Sequence, residues 1–164
     1  MEGIVRAVLL EDAPAICAIY NHYIAHTTIT FEETTLEPEE MGRRIEEVTE
    51  TYPWFVYEED GKVLGYAYAH AYHSRSAFRQ TVENAVYLHR EATGKGIGRA
   101  LYGALLETLD AQGYHVVIGA IALPNDASVR LHEAYGFVKA GHLHEVGYKL
   151  GQWVDVGYWE RRKA

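Results

Sequence analysis

A strand that runs into a glycine-rich turn and then a helix constrains this chain more than any other feature. Glu83-Asn84-Ala85-Val86-Tyr87-Leu88 is followed by Gly94-Lys95-Gly96-Ile97-Gly98-Arg99-Ala100-Leu101. Such a junction aims backbone amides at one spot with a helix dipole behind them, which is an anion site. Position 99 is Arg, so the third glycine of G-x-G-x-x-G is absent, and glycines flank Lys95, so G-x-x-x-x-G-K-[ST] is absent too. Nicotinamide and nucleoside triphosphate readings lose support. What remains is a turn fit to hold a pyrophosphate, with Lys95 and Arg99 as positive neighbours, or else a bare strand-to-helix connection, since glycine supplies positive φ at turns anyway.

Bulk properties narrow the partners. At 164 residues the chain suits one domain spanning 1–164. Fifteen basic against twenty-three acidic residues give a formal net charge of -8, which opposes binding to nucleic acid and to anionic membranes. The single cysteine, Cys17, falls on an apolar helical stripe, so it reads as a core residue in a reducing, cytoplasmic setting. The sequence holds no basic-then-apolar leader and no apolar stretch of roughly 18 residues, so export and membrane insertion are not expected.

Periodicity supplies the elements. Ile4 to Leu9 reads as a strand, and Asp12-Ala13-Pro14 as a helix start with Asp12 as N-cap, followed by Ile16, Ile19, Tyr20, Tyr23 and Ile24 at helical spacing. Pro38-Glu39-Glu40 opens a second helix to about Thr51. Trp54 to Glu58 and Val63 to Ala71 flank Asp60-Gly61 as a hairpin. Tyr72 to Gln80 is a polar loop before the strand Thr81 to Leu88. The helix from Gly96 carries Ile97, Ala100, Leu101, Ala104, Leu105 and Leu109 on its apolar stripe and stops at Gly113. His115 to Ala122, continuously apolar, suits a strand buried on both faces. A short helix from Pro124-Asn125-Asp126 ends at Gly136, and two strands, Phe137 to Tyr148 and Trp153 to Trp159, close the chain. The order is β-α-α-β-β-β-α-β-α-β-β, an α/β fold with a mixed sheet.

Two groups of side chains can carry chemistry. Glu83 shares a strand face with Ala85 and Tyr87, where a partly apolar setting makes a carboxylate a general base; the plainer reading is a rim residue held by an Arg. Ser128, His132 and Tyr135 lie at i, i+4 and i+7 on one helix stripe with Asn125 at its start. Metal chemistry gains little. His132-Glu133 lacks the second His of H-E-x-x-H because position 136 is Gly, while His142 with His144, and His70 with His73, are two-His sets without further ligands. All four are read as structural, and no metal is expected.

The glycine turn, Asn125-x-x-Ser128 and Tyr135-Gly136-Phe137 resemble the GNAT superfamily of acyl-CoA-dependent N-acyltransferases. Asn21-His22-Tyr23-Ile24, Tyr52-Pro53-Trp54, Arg75-x-Ala77-Phe78-Arg79-x-Thr81-Val82-Glu83, Leu123-Pro124-Asn125-Asp126, Val129-Arg130-Leu131-His132-Glu133-Ala134 and Trp153-Val154-Asp155-Val156-Gly157 resemble its phosphinothricin N-acetyltransferase group, from about Ile4 to Trp159. The resemblance implies a GNAT-like, mostly antiparallel mixed sheet flanked by helices, with acetyl-CoA as co-substrate. By it, Val86, Tyr87 and Leu88 would line the pantetheine arm, with Val86 and Leu88 pairing through their backbones. Thr93, Gly94, Lys95, Gly96, Ile97, Gly98 and Arg99 would form the pyrophosphate cradle, and Asn125, Ser128 and Tyr135 would border the other side of the cofactor. The superfamily usually opens its turn motif with Gln or Arg; Thr93 stands there instead, so a side-chain contact to pyrophosphate is weakened. His132 stands where many superfamily members carry Tyr; the phosphinothricin group itself has His there.

The implied chemistry is acetylation of the α-amine of a small amino acid such as phosphinothricin, methionine sulfoximine or methionine sulfone. Glu83 would take the ammonium proton, a backbone amide near Leu88 would stabilise the oxyanion, and His132 would donate a proton or hydrogen bond to the leaving sulfur. Arg75 and Arg79 would pair with the carboxylate or phosphinate, and Phe31 and Phe78 would pack on the side chain. A protein or peptide N-acetyltransferase is the rival enzyme reading, and a non-catalytic acyl-CoA-binding module the rival from another class. Tyr148, Trp153 and Trp159 on the last strands either form a homodimer face, as the resemblance also implies, or fill the core.

Overall fold

The structure, a computed structural model, describes residues 3–163. Its elements are β1 (Ile4–Ala7), α1 (Ala13–His26), α2 (Pro38–Thr49), β2 (Trp54–Glu59), β3 (Lys62–Ala71), β4 (Thr81–Leu88), α3 (Ile97–Ala111), β5 (Val116–Leu123), α4 (Asp126–Ala134), β6 (Val138–Lys149) and β7 (Gln152–Arg162). This is the expected order. Short 3-10 turns at Leu10–Asp12, Ser76–Phe78 and Arg90–Ala92 add to it. The strands follow the order β1-β2-β3-β4-β5-β7-β6 in a seven-stranded sheet whose parallel pair is β4 with β5. The chain forms two compact units, one of Met1–Asn21, Leu36–His70 and Ala85–Gly113, the other of His22–Thr35, Ala71–Asn84 and Tyr114–Ala164.

In the first unit β2 and β3 form the expected hairpin, because Asp60 and Gly61 take positive φ of 50° and 78° and so match the strand twist. Asp12 departs from its expected cap role. Its carboxylate takes two hydrogen bonds of 2.9 Å from Arg6 and one of 2.8 Å from the Leu9 amide, so it ties β1 to the helix entry. Arg6 holds the Asp12 carboxyl below the usual carboxylate range against a large desolvation penalty. Asn21 bonds Leu36 through both side-chain atoms, at 2.9 and 2.8 Å, and the buried Cys17 thiol donates to the same carbonyl at 3.2 Å. Burial pushes that thiol's pKa up, as suits a core cysteine. Along α3 the buried stripe is Ile97, Leu101, Tyr102, Leu105, Leu106 and Leu109. Ala100 is exposed, because the buried face turns toward Tyr102 and Leu106 instead.

In the second unit β5 pairs with β7 antiparallel from Val116↔Arg162 to Leu123↔Asp155, and with β4 parallel over Thr81↔Val116, Val82↔Val117 and Glu83↔Ile118. The expectation of burial on both faces of β5 is corrected here. Val117, Gly119 and Ile121 are buried on the face that meets His132 of α4, whereas on the other face only Ala122 is buried, Val116 and Ile118 being half-buried and Ala120 exposed. Of the three late aromatic residues, Trp159 takes the core alternative: it is buried and donates its indole N–H to Glu133 at 3.2 Å. Tyr148 and Trp153 meet at a tilt across the β6–β7 hairpin, ring centroids 4.7 Å apart, and remain 57% and 65% exposed. Among the described residues no helix is long and apolar enough to cross a membrane.

Candidate active site

The glycine turn lies in the first unit. Gly94 and Gly96 take φ of 79° and 78°, a region that a Cβ disfavours, and this curls the chain from the Arg90–Ala92 turn into α3. Gly96 is the helix N-cap in the left-handed conformation, and among the described residues no side chain caps the helix. The amides of the first helical turn, from Ile97 to Arg99, therefore have no intrahelical acceptor and point out of the helix start. Thr93, Lys95 and Arg99 are exposed beside them. A diphosphate fits this place. Its oxygens would meet main-chain donors, the positive end of α3 and two cationic side chains. The Tyr87 ring meets Tyr20 edge-on at 5.1 Å and Tyr66 at 5.7 Å, so its side chain packs against α1 and β3.

The second unit holds the carboxylate and the imidazole. Glu83 is half-buried and forms the last register pair of β4 with β5, opposite Ile118. Strand alternation gives it the same sheet face as Ile118 and the exposed Ala120. His132 lies on the other face. A Cβ on Gly119 would overlap its Nε2 and would come within 3.4 Å of Asn84 Oδ1, so His132 and Asn84 share the space that Gly119 leaves open. Glu83 and His132 thus meet the β4–β5 pair from opposite sides.

His132 is 3% exposed, and its ring meets Phe137 edge-on at 5.0 Å. Its Nδ1 is 2.7 Å from the Ser128 carbonyl, an acceptor only, so Nδ1 carries the proton and the neutral ring keeps its lone pair on Nε2. Desolvation lowers the His132 pKa, partly offset by that carbonyl bond. The ring is therefore neutral at pH 7, and Nε2 can donate only after it has gained a proton. Ser128 Oγ is 3.5 Å from Nδ1, while Asn125 caps α4 by accepting from the Ser128 amide at 3.2 Å. Tyr135, half-buried, follows as the C-cap residue.

Two residues of this region escaped the sequence reading. Asn84 is 8% exposed with its Nδ2 unpartnered, and the only sequence signal was an amide inside an apolar strand. Lys149 is 3% exposed and donates to the Thr30 carbonyl at 2.7 Å and the Tyr23 carbonyl at 3.4 Å. Burial pushes its pKa down against the pull of Glu33 and Glu32. It anchors the segment that carries Phe31, whose ring fills the space over Gly147. Phe31 is exposed, as are Arg75, Phe78 and Arg79 on the loop before β4. Arg79 donates to the Ser76 carbonyl at 3.0 Å, and Phe78 packs on Tyr72 at 5.7 Å and His73 at 4.9 Å.

The first unit holds a turn fit for a diphosphate, and the second holds a half-buried carboxylate on β4 and a neutral imidazole on α4. Residues 5–157 match the Acetyltransferase (GNAT) domain, and the chain belongs to the GNAT family. It is 43% identical over 157 residues to phosphinothricin N-acetyltransferase of Streptomyces viridochromogenes, covering 96% of this chain and 86% of that one. To L-methionine sulfoximine/L-methionine sulfone acetyltransferase of Salmonella typhimurium it is 37% identical over 148 residues, covering 90% and 86%. A GNAT superfamily phosphinothricin acetyltransferase from Sinorhizobium meliloti, solved in complex with AcCoA, superposes with a TM-score of 0.95 at 36% identity, over 99% of this chain and 89% of the other. The protein is an acetyl-CoA-dependent N-acetyltransferase.

Proposed function

We propose that the protein acetylates the α-amine of a small amino acid analogue of the phosphinothricin, methionine sulfoximine or methionine sulfone type, with Glu83 as general base. The observation that carries this reading is the placement of Glu83: a half-buried carboxylate at the last β4–β5 pair, on the sheet face that keeps Ile118 and Ala120 partly open. The names of the relatives supply the substrate class. Acetyl-CoA brings a thioester, whose carbonyl a free amine attacks and whose thiolate leaves.

The chain's own residues then have separate tasks. Thr93 to Arg99 hold the pyrophosphate through main-chain amides, Lys95 and Arg99. Val86, Tyr87 and Leu88 line the pantetheine arm through their backbones, with an amide near Leu88 turned to the developing oxyanion. Asn125, Ser128 and Tyr135 border the cofactor from α4. Glu83 takes the proton from the substrate ammonium, directly or through water, so that nitrogen gains its lone pair. His132 enters neutral, with Nε2 as acceptor, and meets the sheet from the side opposite Glu83, so it would serve the sulfur only past the end of the β4–β5 pairing at Glu83↔Ile118, and only after collecting a proton. A thiol pKa of about 8.5 lets the sulfur leave as thiolate, which makes the His132 contribution the smaller. Arg75 and Arg79 receive the substrate carboxylate or phosphinate, and Phe31 and Phe78 enclose its side chain. The protein works in the cytoplasm as a homodimer built on the apolar β6–β7 face with Tyr148 and Trp153.

The test is thiol release from acetyl-CoA, read as kcat/KM over phosphinothricin, methionine sulfoximine, methionine sulfone, plain amino acids and a peptide panel. The three analogues are expected to lead. Highest kcat/KM on peptides would turn the reading to a protein N-acetyltransferase, and no release with any amine would reduce the protein to acyl-CoA binding.

A further inference from the structure

We propose that His142, His144 and Asp155 form a binding site for a borderline divalent cation of the zinc, nickel or copper class. The sequence offered only two histidines on one strand face; pairing with β7 supplies the third ligand. The β6–β7 register runs Leu143↔Val156 and then Gly147↔Val154, so His144, Glu145 and Val146 bulge opposite the single residue Asp155. Glu145 takes a φ of 50° at the centre of the bulge. Its amide donates to Asp155 Oδ1 at 2.8 Å, which orients the carboxylate. Oδ2 of the same carboxylate is 2.8 Å from His142 Nε2, and the His144 ring stacks on the His142 ring with centroids 4.4 Å apart. One donor atom from each of the three side chains lies within 4.8 Å of the other two.

Two imidazoles and a carboxylate select zinc, nickel or copper over magnesium and calcium, which want oxygen donors. Metal–ligand distances of about 2.0–2.2 Å require the donors to draw together, and rotation of the exposed His144 ring can do this. Solvent fills the remaining positions. The Glu145 amide then acts as the outer partner that fixes the ligating carboxylate.

Lys139 opposes the cation. Its ammonium is 2.9 Å from His142 Nδ1 and can only donate, so the ring is neutral, with Nδ1 accepting and Nε2–H bonded to Asp155. A cation at Nε2 takes the place of that proton, which moves to Nδ1, and Lys139 must withdraw. The Trp159 ring, whose centroid is 5.4 Å from Nζ, offers the ammonium an alternative seat. Charge and protons balance without a further reactant. The bound ion would staple the bulge of β6 to β7, two strand residues before Gly147 and the ring of Phe31 that covers it.

The experiment is calorimetric titration of the full chain with Zn2+ and Ni2+ at neutral pH, against three variants. Wild type is expected to bind one ion per chain. His144→Ala, whose exposed side chain serves none of the bulge hydrogen bonds described above, should weaken binding at least about tenfold. Lys139→Ala should tighten it, up to about fivefold, by removing the competing cation. His26→Ala tests a different histidine pair, His22 and His26, whose ring centroids are 5.3 Å apart, and should change nothing. No stoichiometric binding by wild type, equal affinity of His144→Ala, or loss of binding in His26→Ala alone would overturn the proposal. Circular dichroism of His144→Ala checks that the variant is folded.

Discussion

The turn at the start of α3 and the imidazole site under α4 solve opposite problems. At the turn, the proposed cofactor contacts are main-chain amides, and the side chains matter mostly through their absence: Gly94 and Gly96 both take a positive φ. At α4 the proposed group is one side chain, and its surroundings fix its proton: the Ser128 carbonyl claims Nδ1, Gly119 clears space for Nε2, and burial favours the neutral ring. A backbone site tolerates changes of side chain that respect φ, whereas a side-chain site depends on neighbours far away in sequence.

The largest expected effect tests the chemistry attached to that contrast. Glu83→Gln removes the proposed base and should lower kcat by about 100-fold or more with little change in KM for acetyl-CoA, while His132→Ala should cost about tenfold. Equal losses, measured by thiol release, would dissolve the division of roles. Gly119→Ala comes next: its Cβ would enter the space of His132 Nε2, so the ring must leave its carbonyl or β5 must shift. A loss of about 1–3 kcal/mol in denaturant unfolding, with lowered kcat, is expected. An unchanged variant would show that the ring is not confined.

Gly96→Ala attacks the backbone site with no steric contact to confuse the result, since nothing lies within 4 Å of its Cβ position. The left-handed conformation alone should cost about 1–2 kcal/mol and raise KM for acetyl-CoA more than it lowers kcat. The reverse pattern would detach the turn from the cofactor. The smallest effect is the pH dependence of stability. The unfolded chain protonates His132 near the ordinary 6.5 and the folded chain only at lower pH, so the unfolded state binds more protons in that window. Stability from this group is full above about 6.5 and falls as pH drops through the window, by at most about 1.4 kcal/mol per pH unit. Replacing His132 with Asn should flatten that slope in denaturant melts between pH 7.5 and 5; an unaltered slope would place the titrating group elsewhere.

Local signals carried the element order, the Asp60-Gly61 hairpin and the glycine turn, because each depends on periodicity or on φ preferences of a few adjacent residues. They went astray where a residue's role is set by a distant partner. Asp12 looked like a cap until Arg6 and the Leu9 amide claimed its carboxylate. Ala100 sat on an ideal stripe, yet the buried face of α3 runs through Tyr102 and Leu106. Lys149, a cation near a chain reversal, gave no hint that it would be buried against Thr30 and Tyr23.

By itself the sequence determined that a glycine-rich turn into a helix follows a carboxylate-bearing strand, since adjacent residues dictate both. Only the tertiary structure decided that His132 is a neutral ring with its lone pair on Nε2, that it meets the sheet opposite Glu83, and that Asp155 joins His142 and His144. Proton position, burial and ligand convergence are sums over neighbours distant in sequence, and strand register, not strand composition, brings those neighbours together.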